Sequence, residues 1–205
     1  MDFAAVNRQI GELERRIGEP AELSPGEQLF VGVDLGTAYI VVVVVNAERK
    51  PVACALEFAQ VVRDGLVVDY TGATRIVRKL VRQLGERLGR ELELAAIAVP
   101  PGTGERECAT HRHVVEGAGL TVTSVLDEPT AANAVLGVEN GVIVDIGGGT
   151  TGLSVLENGK VVYVADEPTG GTHLSLCAGG QLRHQLRGGR EHQRKIRPAR
   201  RRFFP

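Results

Sequence analysis

Tryptophan is absent from this chain, and aromatic residues make up only 4% of it. A core must therefore be built from Val, Leu, Ile and Ala, and the 43% hydrophobic content is enough to build one. The three cysteines, Cys54, Cys108 and Cys177, are far apart and odd in number, and no Cys-x-x-Cys occurs. Neither a disulfide framework nor a zinc site is supported, and a cytoplasmic location is expected. Long apolar runs are also missing. The longest, Tyr39 to Val45, is too short to span a bilayer, and Met1-Asp2 is not the basic start of a secretion signal. The net charge of −1 argues against a nucleic-acid or membrane-surface protein. That balance hides an asymmetry: residues 181–205 hold nine of the 24 Lys and Arg but one acid, Glu191, so residues 1–180 are strongly acidic.

Glycine, in contrast, is concentrated where it is informative. Val142-Ile143-Val144-Asp145-Ile146-Gly147-Gly148-Gly149-Thr150-Thr151-Gly152 reads as strand, tight turn, strand. Glycines let backbone N–H groups approach a ligand closely. An Asp at the strand end repels phosphate but can hold a Mg²⁺ that bridges to it. Alone, the stretch reads equally as a hairpin turn with a surface acid. Val31-Gly32-Val33-Asp34-Leu35-Gly36-Thr37 repeats the order, and each motif is followed by two further strand-like segments separated by a polar turn. Internal repetition of this kind implies two related lobes, each turning an Asp and a Gly-rich turn toward the other. Two such turns would clamp a nucleotide's phosphates and metal.

A third motif lies between them. Asp127-Glu128-Pro129-Thr130-Ala131-Ala132-Asn133-Ala134 opens a helix, with Pro in its first turn and acids at its positive end. In this order and spacing the three motifs resemble the sugar-kinase, heat-shock-70 and actin superfamily. The resemblance is closest to a shorter bacterial branch, the chaperone-like J family of ethanolamine utilisation. Val61-Val62-Arg63-Asp64-Gly65, Pro100-Pro101-Gly102-Thr103 and Ala165-Asp166-Glu167 with Gly170-Gly171 carry that closer likeness, which covers residues 29–178. It implies ATP and Mg²⁺ as cofactors. Asp34, Asp145 and Glu128 would be the catalytic carboxylates, Asp34 and Asp145 also organising the metal. Gly36, Thr37, Gly147, Gly148, Gly149, Thr150 and Gly171 would contact the nucleotide. Glu128 reads alternatively as a helix-start acid, the two threonines as turn residues and Gly171 as part of a simple turn. Ala38 stands where many heat-shock relatives carry a second hydroxyl. No P-loop pattern is present, and no Lys of the first lobe can be placed beside a γ-phosphate. His111, His113 and His173 read as surface or internally satisfied residues.

The expected fold class is α/β, a ribonuclease-H-like, actin-like lobe of order βββαβαβα followed by an incomplete second copy. Residues 1–28 read as an amphipathic helix and linker, with Phe3, Val6, Ile10, Leu13 and Ile17 on one face; the helix either packs on its own lobe or docks on a partner. Residues 29–140 form the first lobe, 141–180 begin the second, and 181–205 read as a basic, disordered tail. The first copy, Leu29 to Leu136, is longer than all that follows it, so the second is expected to consist of three strands without its helices. The abrupt change near residues 176–180 suggests a truncated or frame-shifted gene, or a genuine basic tail. In the resembled family the adenosine pocket lies beyond that point, so this chain is expected to bind ATP weakly or not at all and to be inactive as an ATPase. The functional expectation is a chaperone-like or assembly protein of ethanolamine utilisation, impaired by that loss. Its partners would be pathway or microcompartment proteins, and it would self-associate through the partial lobe. An actin-like cytoskeletal or pilus-assembly scaffold is the alternative; a small-molecule kinase is a weaker one, because the connections leave no room for an acceptor pocket.

Overall fold

A computed structural model of the chain describes residues 2–181. The basic segment expected at 181–205 lies outside them except for Gln181. Helix α1, Phe3–Gly18, is capped by Asp2, whose carboxylate accepts from the Ala4 and Ala5 N–H groups. Three antiparallel strands follow: β1, Leu29–Leu35, β2, Tyr39–Asn46, and β3, Pro51–Phe58. Their β-branched alternation buries Val31, Val33, Ile40, Val42 and Val44 on one face. A two-stranded hairpin comes next, β4 at Val62–Arg63 and β5 at Leu66–Val67. The sequence shows only a polar connection here. Asp64 and Gly65 both take positive φ, 49° and 77°, which closes a two-residue turn of the hairpin-favouring hand.

Helix α2, Tyr70–Leu88, starts on an Asp69 cap and stops at Gly89 with φ 62°. Its Ala73, Val77, Leu80 and Leu84 pack into the core beneath β2 and β3. Then come β6, Leu94–Val99, helix α3, Glu105–Gly117, and β7, Thr121–Asp127, with β6 parallel to β1 and β7 parallel to β6. Sheet order β3-β2-β1-β6-β7 is the ribonuclease-H-like arrangement read from the element pattern. Helix α4, Glu128–Leu136, is capped by the Asp127 carboxylate, which accepts from Thr130 N–H at 2.9 Å. It touches β6 and β7 on one side and the second sheet on the other.

The amphipathic helix α1 packs along β3 with Val6 buried, which is the first of the two readings open from sequence. Its C-terminal end is fastened by Arg87 of α2, which donates to the carbonyls of Ile17 and Gly18, and Ala21 N–H bonds to the Val52 carbonyl at 2.7 Å. Residues Pro51 to Ala55 are consequently buried, although β3 is an edge strand.

The second sheet is β8, Gly141–Ile146, β9, Thr151–Glu157, and β10, Lys160–Glu167, in order β10-β9-β8. Contrary to the expectation that no helix follows these strands, helix α5 spans Gly171–Gln181. Its first N–H groups have fixed acceptors, Gly171 donating to the Gly147 carbonyl and Thr172 to that of Gly148, both at 2.9 Å. These bonds satisfy donors that a helix N-terminus leaves open and so support its first turn. Apolar periodicity could not reveal it, because Leu174 and Leu176 are exposed.

Candidate functional site: an acidic cleft between two glycine turns

The β1–β2 connection, residues 36–38, and the β8–β9 turn, residues 147–150, meet face to face. A Cβ at Gly148 would lie 2.8 Å from that of Ala38, and one at Gly149 would lie 2.6 Å from Thr37 Oγ1. Neither position has room for a side chain, so glycine is required by the approach of one turn to the other. The second turn is closed by Gly147 N–H donating to the Thr150 carbonyl at 2.9 Å. Gly170 backs it: a Cβ there would meet the Gly147 carbonyl oxygen at 2.7 Å. The structure thus brings together Gly36, Thr37, Gly147, Gly148, Gly149 and Thr150. Gly171 braces the turn from behind, its N–H already bonded to Gly147.

The carboxylates converge on the same cleft. Asp34 ends β1 opposite Val41 and Ala98, Asp145 ends β8 opposite Gly152, and Glu128 is the first residue of α4. Burial and then the charge of Asp145 push Asp34 up to about 6. Burial raises Asp145 as well. Glu128 is pushed up to about 8, first by burial and then by Asp34, Asp145, Asp166 and Asp127, all acids.

Asp166 is a cleft residue to which the sequence reading gave no role, although its motif carries the family likeness. Its carboxylate, raised by burial, accepts from the Thr150 hydroxyl, which works in the opposite direction. It pairs with Gly152, as Asp145 does from the other side, so the two acids flank one glycine on one face of the sheet. An irregularity between Val161 and Tyr163 shifts the β9–β10 register there. Continued from Val161↔Leu156, the unshifted register would set Ala165 opposite Gly152.

Among the described residues, no three His, Cys, Asp or Glu side chains form a direct metal-ligand set. Four acids whose proton affinities are all raised, first of all by burial, nonetheless fit a hydrated divalent cation. Mg²⁺ keeps several of its waters and uses few carboxylates besides phosphate. Asp34 and Asp145 would hold such an ion through its waters, and its charge would offset the repulsion among the acids.

Two cavities open beside the turns. One of about 480 Å³ is bounded by Asp166, the Pro100–Gly104 loop and the β4–β5 turn. The other, about 420 Å³, is lined by Thr37, Ala38, Gly149, Arg63 and His173 among others. Among the described residues, His111, His113 and His173 are placed as internally bonded or exposed side chains. His111 is buried, bonds through Nδ1 to the Glu107 carbonyl, and is pushed toward its neutral form by burial. His173 Nδ1 accepts from Gly170 N–H, and His113 is exposed. Among the described residues no helix is long and apolar enough to cross a membrane.

Strand order, paired glycine turns and a carboxylate from each lobe define the actin-like ATPase fold, and the MreB/Mbl protein family model matches residues 52–187. The crystal structure of MreB5 of Spiroplasma citri bound to ADP shares that fold, with a TM-score of 0.65 at 17% identity, covering 81% of this chain and 61% of that one. Within this class the chain belongs to the family of ethanolamine utilization protein EutJ. It is 47% identical to the Escherichia coli K12 protein over 166 residues, 81% of this chain. The crystal structure of the Carboxydothermus hydrogenoformans protein superposes with a TM-score of 0.86 at 47% identity, covering 93% of this chain and 70% of that one. The chain spans 59% of the length of the Escherichia coli relative.

Proposed function

We propose that the cleft binds the phosphate chain of a nucleoside triphosphate together with Mg²⁺, in a chaperone-like or assembly protein of ethanolamine utilisation. The observation that carries this reading is the contact of Gly148 and Gly149 with Thr37 and Ala38 directly beside four acids. The turns supply close-approaching backbone, and the acids supply sites for a hydrated cation. In the reaction this implies, Mg²⁺ would neutralise phosphate charge. Asp34 and Asp145 would orient the ion's waters. Glu128, once a cation lowers its proton affinity, would accept a proton from the attacking water. The ADP in the MreB5 structure supports nucleotide as the ligand class. By the same resemblance the adenosine pocket belongs to the second lobe, of which β8–β10 and α5 are described. The phosphate end should then dominate binding by this chain, and affinity for ATP should be weak. The clients would be proteins of the ethanolamine pathway or of a bacterial microcompartment in the cytoplasm.

A second reading, a scaffold that associates with copies of itself, is favoured by the exposed apolar face of the second sheet, Val142, Val144, Ile146 and Tyr163.

Calorimetric titration of the chain with Mg-ATP, Mg-tripolyphosphate and metal-free ATP tests the first reading. Tripolyphosphate and ATP should bind within about threefold of one another, both requiring Mg²⁺. Binding of none of the three, or tight ATP binding without the metal, would overturn it.

A further inference from the structure

The two turns and the acids leave a polyphosphate without a basic side chain, and the structure places one beside them. Arg63 ends β4 and lines the cavity that carries Thr37, Ala38 and Gly149. Among the described residues it is the one Lys or Arg in that lining. Its guanidinium makes no hydrogen bond or ion pair with any described residue, whereas Arg16, Lys79 and Arg87 are all engaged elsewhere.

The hairpin that carries Arg63 is firmly seated. Val61 and Val62 are buried in the core. The Val61 carbonyl accepts from the N–H groups of Val68 and Asp69, at 2.9 and 3.1 Å. Gly65, in its left-handed conformation, sits so close to Pro100 that a Cβ would meet the ring at 2.8 Å. The base of the arginine is therefore fixed while its head is uncommitted. A planar guanidinium with several donors suits phosphoryl oxygens, and a pre-positioned one loses little conformational freedom on binding them.

We propose that Arg63 binds the outermost phosphate of a nucleoside triphosphate held in the cavity that Thr37, Ala38 and Gly149 line. This rests on the phosphate-cleft reading above. It assigns the cleft a cation from the β4–β5 hairpin, which neither glycine motif contains. Asp64, next in the chain and lining the same cavity, opposes an anion there, so a phosphate must reach Arg63 in company with its own cation.

The test uses the 205-residue chain, Arg63→Gln and Arg63→Lys, titrated calorimetrically with Mg-ATP, Mg-ADP and Mg-tripolyphosphate. Arg63→Gln should weaken ATP and tripolyphosphate by about tenfold and ADP by no more than about twofold, and Arg63→Lys should recover part of the loss. Equal losses for ATP and ADP, or no loss for any probe, would overturn the assignment while leaving the phosphate cleft standing. A wild-type chain that binds none of the three removes the cleft reading and this assignment together. Because Arg63 is exposed, unchanged melting temperatures should accompany the changes in affinity.

Discussion

The sheets β1–β2–β3 and β8–β9–β10 are built from similar strand sequences around similar turns, yet they are buried very differently. In the first, Ile40, Val42 and Val44 are completely inaccessible under α2. In the second, Val142, Val144, Ile146 and Tyr163 stand 54, 53, 56 and 59% exposed, while Ile143, Ser154 and Leu156 on the opposite face are buried. Local sequence makes a strand in both places. Burial depends on whether another layer is packed on the face. The second sheet is held through its cleft face, where α4 touches β8 and β9, and Gly152 lies so near Pro101 that a Cβ would be 3.0 Å away.

The largest expected effect compares one residue type across the two sheets. Val42→Ala should cost about 2 kcal/mol through lost burial and a residual cavity, whereas Val144→Ala should stay within about 0.5 kcal/mol. Urea denaturation of both variants measures the contrast, and similar costs would show that the outer face of the second sheet is covered in solution. Next comes the brace between the second turn and α5. Gly170→Ala sets a methyl against backbone atoms of residues 147–149 and should destabilise by about 1–2 kcal/mol. Gly11→Ala, mid-helix with nothing within 4 Å, should be neutral or stabilising by about 0.5 kcal/mol.

A pH-dependent contrast reads the cleft that joins the sheets. Asp34 and Glu128 keep their protons to about 6 and about 8, against 3.8 and 4.5 for ordinary Asp and Glu. Between those limits the folded chain binds more protons than the unfolded one, so stability should fall as pH rises from about 4 to 8. Glu128→Gln should match the wild type at pH ~5 and exceed it at pH ~8 by about 1 kcal/mol, a shift of roughly 2–4 °C in melting temperature. Added Mg²⁺ should narrow that gap, because a cation relieves the repulsion that the substitution removes. A gap that persists unchanged at pH ~5 would separate the effect from proton binding.

Much of this architecture was legible along the chain. Short apolar runs marked the long strands, and Asp127 to Pro129 marked the start of α4. Asp34 and Asp145 could be placed because each sits at a fixed distance from its own turn. Asp166 could not, since its face depends on a register shift between Val161 and Tyr163 that no local pattern in the strand announces. Arg63 lay in a stretch too short to show periodicity, and its hairpin exists because Gly65 can take φ 77° against Pro100. Helix α5 was missed because its apolar side chains have no layer to face, and its start depends on carbonyls more than twenty residues earlier.

By itself the sequence determined the local conformations and the two glycine turns, since backbone sterics, β-branching and capping act over a few residues. It also determined the repeat, and with it the pairing of an acid with each turn. Tertiary structure alone decided that Asp166 joins those acids and that Arg63 stands beside the turns. It also decided which sheet face is covered. Proton affinities and burial depend on what is brought near through space, and here that was set by a register shift, a hairpin seated on a proline and the docking of α4 between two sheets.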